Sequence, residues 1–185
     1  MNLTNRGQHS ILNALYLEAA ENLLAAHGTH AHLVRQHGAG TSVPNTPSYV
    51  CVLGATGDGV ALSSMLKIDR AVLISVHPLG SAEISQLDLE DWCRELNNQL
   101  VGRMKNKLLG YGVAIALSLP MLLSATDVTA IAGPDVTVNE HSFRSAAGQI
   151  ALTLATFVDP QLELREREFS GEDDGALLEG AVSLF

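Results

Sequence analysis

The chain has 185 residues, 46% of them hydrophobic and 17% charged, a composition that supports one core-bearing domain and excludes a wholly disordered chain. Asp and Glu total 20 against 11 Lys and Arg, and the resulting formal net charge of -9 repels nucleic acid and anionic lipid, with no local basic patch to offset it. Cys51 and Cys93 are too few for a disulfide framework, and each lies in an apolar stretch, the setting of a reduced, buried thiol.

The opening segment, MNLTNRGQHS, lacks the basic start and apolar run of a secretion signal. No run approaches roughly 18 apolar residues, so a cytoplasmic protein without a membrane or nucleic-acid partner is expected. From His9 to His27, Ile11, Leu12, Leu15, Ala19, Leu23 and Leu24 recur at helical spacing, and Gly28 is placed to stop that helix. His30, His32 and Val34 fit one face of a short strand, and Gly38 to Pro47 has loop composition. Tyr49 to Leu53 is a β-run, Gly54 to Gly59 a turn-forming cluster with Asp58-Gly59, and Val60 to Met65 a second strand, which together predict a hairpin. Asp69 to His77 fits helix or strand.

Asp88 to Leu109 gives the strongest helical signal, with Trp92, Leu96, Leu100, Met104 and Leu108 in four-residue steps and Gly110 and Gly112 to end it. Val113 to Leu119 reads as a strand closed by Pro120, and Ser142 to Ala147 with Gln149 to Val158 as a second hairpin about Gly148. The order helix, strand, hairpin thus occurs twice, predicting a pseudo-symmetric α+β domain over 1–160 with two long helices packed on an antiparallel sheet. Residues 161–185 form an acidic tail, either solvated throughout or docking through its apolar end, Ala176 to Phe185.

At about 100° per residue, Asp91, Glu95, Asn98 and Gly102 share a narrow polar sector of the second long helix, opposite Leu96, Leu100 and Met104. Glu95 and Asn98 lie one turn apart, so a carboxylate and an amide project side by side, while Gly102 leaves room for a partner's backbone. Neither Asn98 nor Gln99 is basic, so an ion pair within the helix does not account for Glu95. Polar groups on a helix surface are ordinarily just solvated, and capping with the helix dipole accounts for Asp88 and Asp91. Asn97 points toward the apolar face, as a buried and hydrogen-bonded residue would.

The run Asp91-Trp92-Cys93-Arg94-Glu95-Leu96-Asn97-Asn98, then Gly102, then Leu117-Ser118-Leu119-Pro120, resembles the signature of the CheC/CheX/FliY chemotaxis phosphatases. The likeness of organisation spans residues 9–158 and is nearer to the single-site CheX type, because the first helix offers Glu18-x-x-Glu21 and no Glu-x-x-Asn. Two features depart from the pattern: Gln99, where an apolar residue is expected, and the acidic tail. The resemblance implies a hydrolase for the aspartyl phosphate of a CheY-like response regulator. Asn98 would orient the attacking water and Glu95 would pair with the regulator's lysine as the catalytic residues, with Asp91 and Gly102 partner-binding. It also implies a homodimer, no cofactor bound by this chain, and Mg²⁺ carried by the phosphorylated regulator. Phosphoryl transfer through a loose transition state needs positioning and charge neutralisation more than a strong base, which suits a neutral amide.

Other readings are weaker. A non-catalytic adaptor or flagellar-switch component would use the same helix for docking alone. Gly54 to Gly59 imitates the glycine-rich start of a dinucleotide fold, but Val60 onward has strand composition where a helix is required. His27, His30, His32 and His37 have no nearby Cys, Asp or Glu to complete a metal site, and none is assigned.

Overall fold

A computed structural model describes residues 3–29, 31–34, 48–80, 84–123, 133 and 135–166. The expected loop at Gly38 to Pro47, His30, His37 and the tail from 167 onward lie outside the described residues. The first helix, α1 (Leu3–Ala26), begins six residues before the expected start at His9 and buries Leu12, Leu15, Tyr16, Ala19, Ala20 and Leu23 along one face. Gly28 ends it in the left-handed conformation at φ 68°, where its own N–H bonds to the Ala25 carbonyl at 3.0 Å and that of Thr29 to Leu24 at 2.9 Å. No helix among the described residues is long and apolar enough to cross a membrane.

A three-residue strand, β1 (His32–Val34), precedes the first hairpin, β2 (Ser48–Gly57) and β3 (Val60–Asp69). The strands of this hairpin are longer than the glycine cluster suggests, because the turn takes only Asp58 and Gly59, both at positive φ (45° and 77°), as a tight right-twisting connection requires. The ambiguous segment is a short helix, α2 (Arg70–Ser75), that buries Val72 and Leu73. The second long helix is α3 (Gln86–Leu109). The strand expected over Val113 to Leu119 pairs only at β4 (Ala116–Leu117), and pairing resumes after Pro120 at β5 (Met121–Leu123). Proline has no N–H to give a ladder, and Ala114 gives its own to the Asp58 carboxylate at 2.7 Å. The second hairpin, β6 (Thr137–Ser145) and β7 (Gly148–Val158), turns at Ala146-Ala147, just before the expected glycine.

These strands form one antiparallel sheet in the order β1-β6-β7-β3-β2-β4, with β5 also on β2. The two halves interlock: β1 joins the hairpin of the second half, β4 and β5 join that of the first, and β3 pairs with β7 at the centre. Both long helices pack on each other over one face of the sheet, α1 against β7 and α3 against β2 and β3. The α+β arrangement is therefore the one expected, with the core between the helix pair and the inward side chains of the central strands, Leu53, Leu66, Ile68, Leu152 and Leu154 among them.

Candidate functional site

Helix α3 carries the site, and its start is firmly fixed. Ser85 is the N-cap: its hydroxyl accepts from the Asp88 N–H at 3.2 Å, and the Asp88 carboxylate accepts from the Ser85 N–H at 2.9 Å. The Ser85 hydroxyl also donates to that carboxylate at 2.6 Å, and this bond, followed by the one from the Ser85 N–H, holds the Asp88 carboxyl below the usual carboxylate range. Ser85 and Asp88 thus do the capping, while Asp91 instead pairs with Arg94 at 2.6 Å, one turn along the exposed side.

The phase of the helix is set from inside. Asn97 is fully buried, donating through Nδ2 to the carbonyls of Cys51 (3.1 Å) and Ser64 (3.2 Å) and accepting at Oδ1 from the Ser64 hydroxyl (2.7 Å). Since that hydroxyl gives its hydrogen to Asn97, it must accept from the Tyr16 hydroxyl, 2.7 Å away. Burial pushes the Tyr16 phenol well above its ordinary range. The chain Tyr16, Ser64, Asn97 thus ties α1, β3 and α3 at one depth, and a rotated α3 would break all three bonds that Asn97 makes.

With Asn97 facing in, Asp91, Glu95 and Asn98 are exposed on one stripe, and Gly102 is half-buried at its far end. The Asn98 side chain makes no hydrogen bond to any described residue. A Cβ built on Gly102 would meet nothing within 4 Å, so internal packing does not require glycine there. Glu95 has a partner that sequence reasoning missed: Gln99 Nε2 donates to its Oε1 at 2.8 Å. Gln99 Oε1 in turn lies 3.2 Å from His27 Nε2, at the end of α1. The Trp92 ring makes T-shaped contacts with His27 (5.3 Å between centroids) and His77 (5.6 Å). His77, Asp88, Asp91, Trp92 and Glu95 line an open depression of about 260 Å³ beside the stripe. The one hint of these contacts in the sequence is Gln99 itself, polar where an apolar residue is expected.

The glycine-rich decoy is explained by packing. A Cβ on Gly57 would lie 2.3 Å from the Ala114 carbonyl oxygen, Gly59 supplies the positive φ of the turn, and the chain continues into β3, not into the helix a pyrophosphate would need. His27 is engaged with Gln99 and Trp92, and His32 is exposed on β1. On α1, Glu18 forms an ion pair with Lys107 of α3 at 2.6 Å, so that acid links the two helices.

No family model matches the sequence, and a comparison with curated proteins finds no match. Solved structures do match. The chain is similar to the chemotaxis protein CheX from Vibrio vulnificus, with TM-score 0.63 and 14% identity over 78% of this chain and 95% of that one. It is similar to a CheC-like superfamily protein from Shewanella sp. PV-4, with TM-score 0.62 and 16% identity over 84% of this chain and 99% of that one. It is also similar to a chain of a CheX–CheY–BeF3–Mg²⁺ complex from Borrelia burgdorferi, with TM-score 0.54 and 16% identity over 78% of this chain and 96% of that one. The fold is that of the CheX and CheC-like proteins, as the helix signature implies.

Proposed function

We propose that this chain is a CheX-type phosphatase that hydrolyses the aspartyl phosphate of a CheY-like response regulator. The observation that carries the reading is the inward lock of Asn97, which leaves Glu95 and Asn98 side by side and solvent-facing on a rigid helix. Asn98 bonds to none of the described residues, and its amide can both donate to and accept from a water, holding it in line with the phosphorus. Water attacks, the P–O bond to the regulator's aspartate breaks, and the products are the free carboxylate and inorganic phosphate. The regulator's own Mg²⁺, when bound, neutralises charge on the phosphoryl oxygens.

Glu95 cannot serve by facing the phosphate, which would repel it. It serves by meeting a cation, and with Asp88 and Asp91 it gives the adjacent depression an acidic rim suited to the regulator's lysine. Gly102 leaves the helix surface low where the partner's backbone would approach. Two copies would pair through a sheet edge, at β1 on one side or at β4 and β5 on the other. Light scattering on the purified chain tests that dimer.

The decisive experiment mixes the chain with phosphorylated CheY-like regulators and follows phosphate loss. Asn98→Ala should abolish the stimulated rate while largely sparing regulator binding, and Glu95→Lys should weaken both. If phosphate loss is the same with Asn98→Ala as without it, the mechanism is wrong. Binding without any stimulation would make the chain an adaptor.

A further inference from the structure

Glu95 is exposed, yet it is not left to rotate freely. Its carboxylate can only accept hydrogen bonds, so Gln99 must turn its amide nitrogen toward it, at 2.8 Å. The Gln99 oxygen then faces His27, and the 3.2 Å contact requires His27 Nε2 to carry a hydrogen. The imidazole that donates it is itself packed at 89° against the Trp92 ring. Three groups in series therefore run from the end of α1, over Trp92, to one oxygen of Glu95, while no described residue bonds to Oε2.

We infer that Gln99 and His27 are positioning residues that hold the Glu95 carboxylate in its docking rotamer before the regulator arrives. The inference rests on the reading of Glu95 as the acid that meets the regulator's lysine. A free glutamate on a helix surface loses rotamer entropy when it is captured, whereas one already bonded loses less, a difference of roughly three- to tenfold in affinity. The departure at position 99 then has a use: an apolar residue there could pack, but it could not donate to Glu95.

The test is kinetic, with a second arm in the chain alone. Gln99→Leu should raise the KM for the phosphorylated regulator roughly three- to tenfold and change kcat by less than about twofold, since Asn98 is untouched. His27→Phe, which keeps an aromatic edge against Trp92 but removes the donor, should move KM the same way by less. In a Glu95→Ala background, Gln99→Leu should add nothing, whereas a merely structural role would lower activity equally in both backgrounds. In the chain alone, the Gln99 side-chain amide resonances should shift on Glu95→Ala and on His27→Phe. An unchanged KM in Gln99→Leu, full additivity with Glu95→Ala, or unmoved amide resonances each overturns the inference. If the unsubstituted chain accelerates no regulator's dephosphorylation, the functional reading falls and takes the role of the relay with it, while the amide shifts still report whether the three groups are bonded.

Discussion

Replacing Gly102 by alanine should stabilise the fold and weaken docking at the same time. Glycine in a helix interior is less favourable than alanine by about 0.5–1 kcal/mol, through backbone entropy alone. Nothing lies within 4 Å of the Cβ that alanine would add, so no steric penalty offsets that gain. For a domain of this size the gain corresponds to a rise of about 1–4 °C in Tm. On the other side of the balance, a methyl group inserted into a closely packed interface costs about 1–3 kcal/mol, which is roughly five- to more than a hundredfold in affinity. Thermal or urea denaturation measures the first effect, and titration against a CheY-like regulator together with its dephosphorylation rate measures the second. A stabilised variant with undiminished affinity would show that no partner approaches Gly102. A destabilised one would show that the environment of the helix there has been misjudged.

Asn97→Ala should cost about 2–4 kcal/mol, because it removes three bonds and leaves Ser64 Oγ–H and two carbonyls short of a partner in the core. Asn98→Ala should stay within about 0.5 kcal/mol of the parent; equal urea midpoints for the two variants would contradict the phase assigned to α3. Gly57→Ala should destabilise by about 1–3 kcal/mol, since its Cβ would strike the Ala114 carbonyl at 2.3 Å, and an unchanged urea midpoint would refute that close approach. Burial holds the imidazoles of His9 and His141 below their ordinary range. As the pH falls through about 6.5 the unfolded chain therefore takes up these protons before the folded one. Their contribution is present above that pH and declines below it, so urea stability should drop between about pH 7.5 and 5.5, less steeply in His9→Gln, and a rise on acidification would reverse the sign of the argument.

The sequence showed what depends on periodicity. Asn97 and Asn98 differ by a single step of the helical wheel, and that step was enough to assign one to the core and the other to solvent. The Asp58-Gly59 pair announced its turn, although the extra glycines made the hairpin look shorter than it is, because Gly54 and Gly57 both lie within β2 and Gly57 answers to the close approach of Ala114, not to the turn. Contacts between distant segments left little local trace beyond the polar Gln99 itself. Gln99 and His27 are 72 residues apart, and only the packing of α1 against α3 brings them together. The edge strands were equally obscure: Val113 to Leu119 has the apolar run of a strand, but a tight crossing at Gly57 and a proline decide how much of it pairs.

The pseudo-symmetry raises the question of why only one helix of the pair would act. Both long helices lie on the same face of the sheet and each carries an acid toward solvent, Glu18 on α1 and Glu95 on α3. The difference lies in the next turn: three residues after Glu18 comes Glu21, whose negative charge would repel a phosphoryl group where Asn98 would hold water. Glu18 is also bound to Lys107 at 2.6 Å, which joins the acid of one helix to the last turn of the other. An exposed pair of this kind adds little stability, at most about 1 kcal/mol, but it keeps the carboxylate from a partner. One half of the fold thus ties the helices together while the other keeps its acid beside a neutral amide, and this division of labour, not the fold itself, favours a single site.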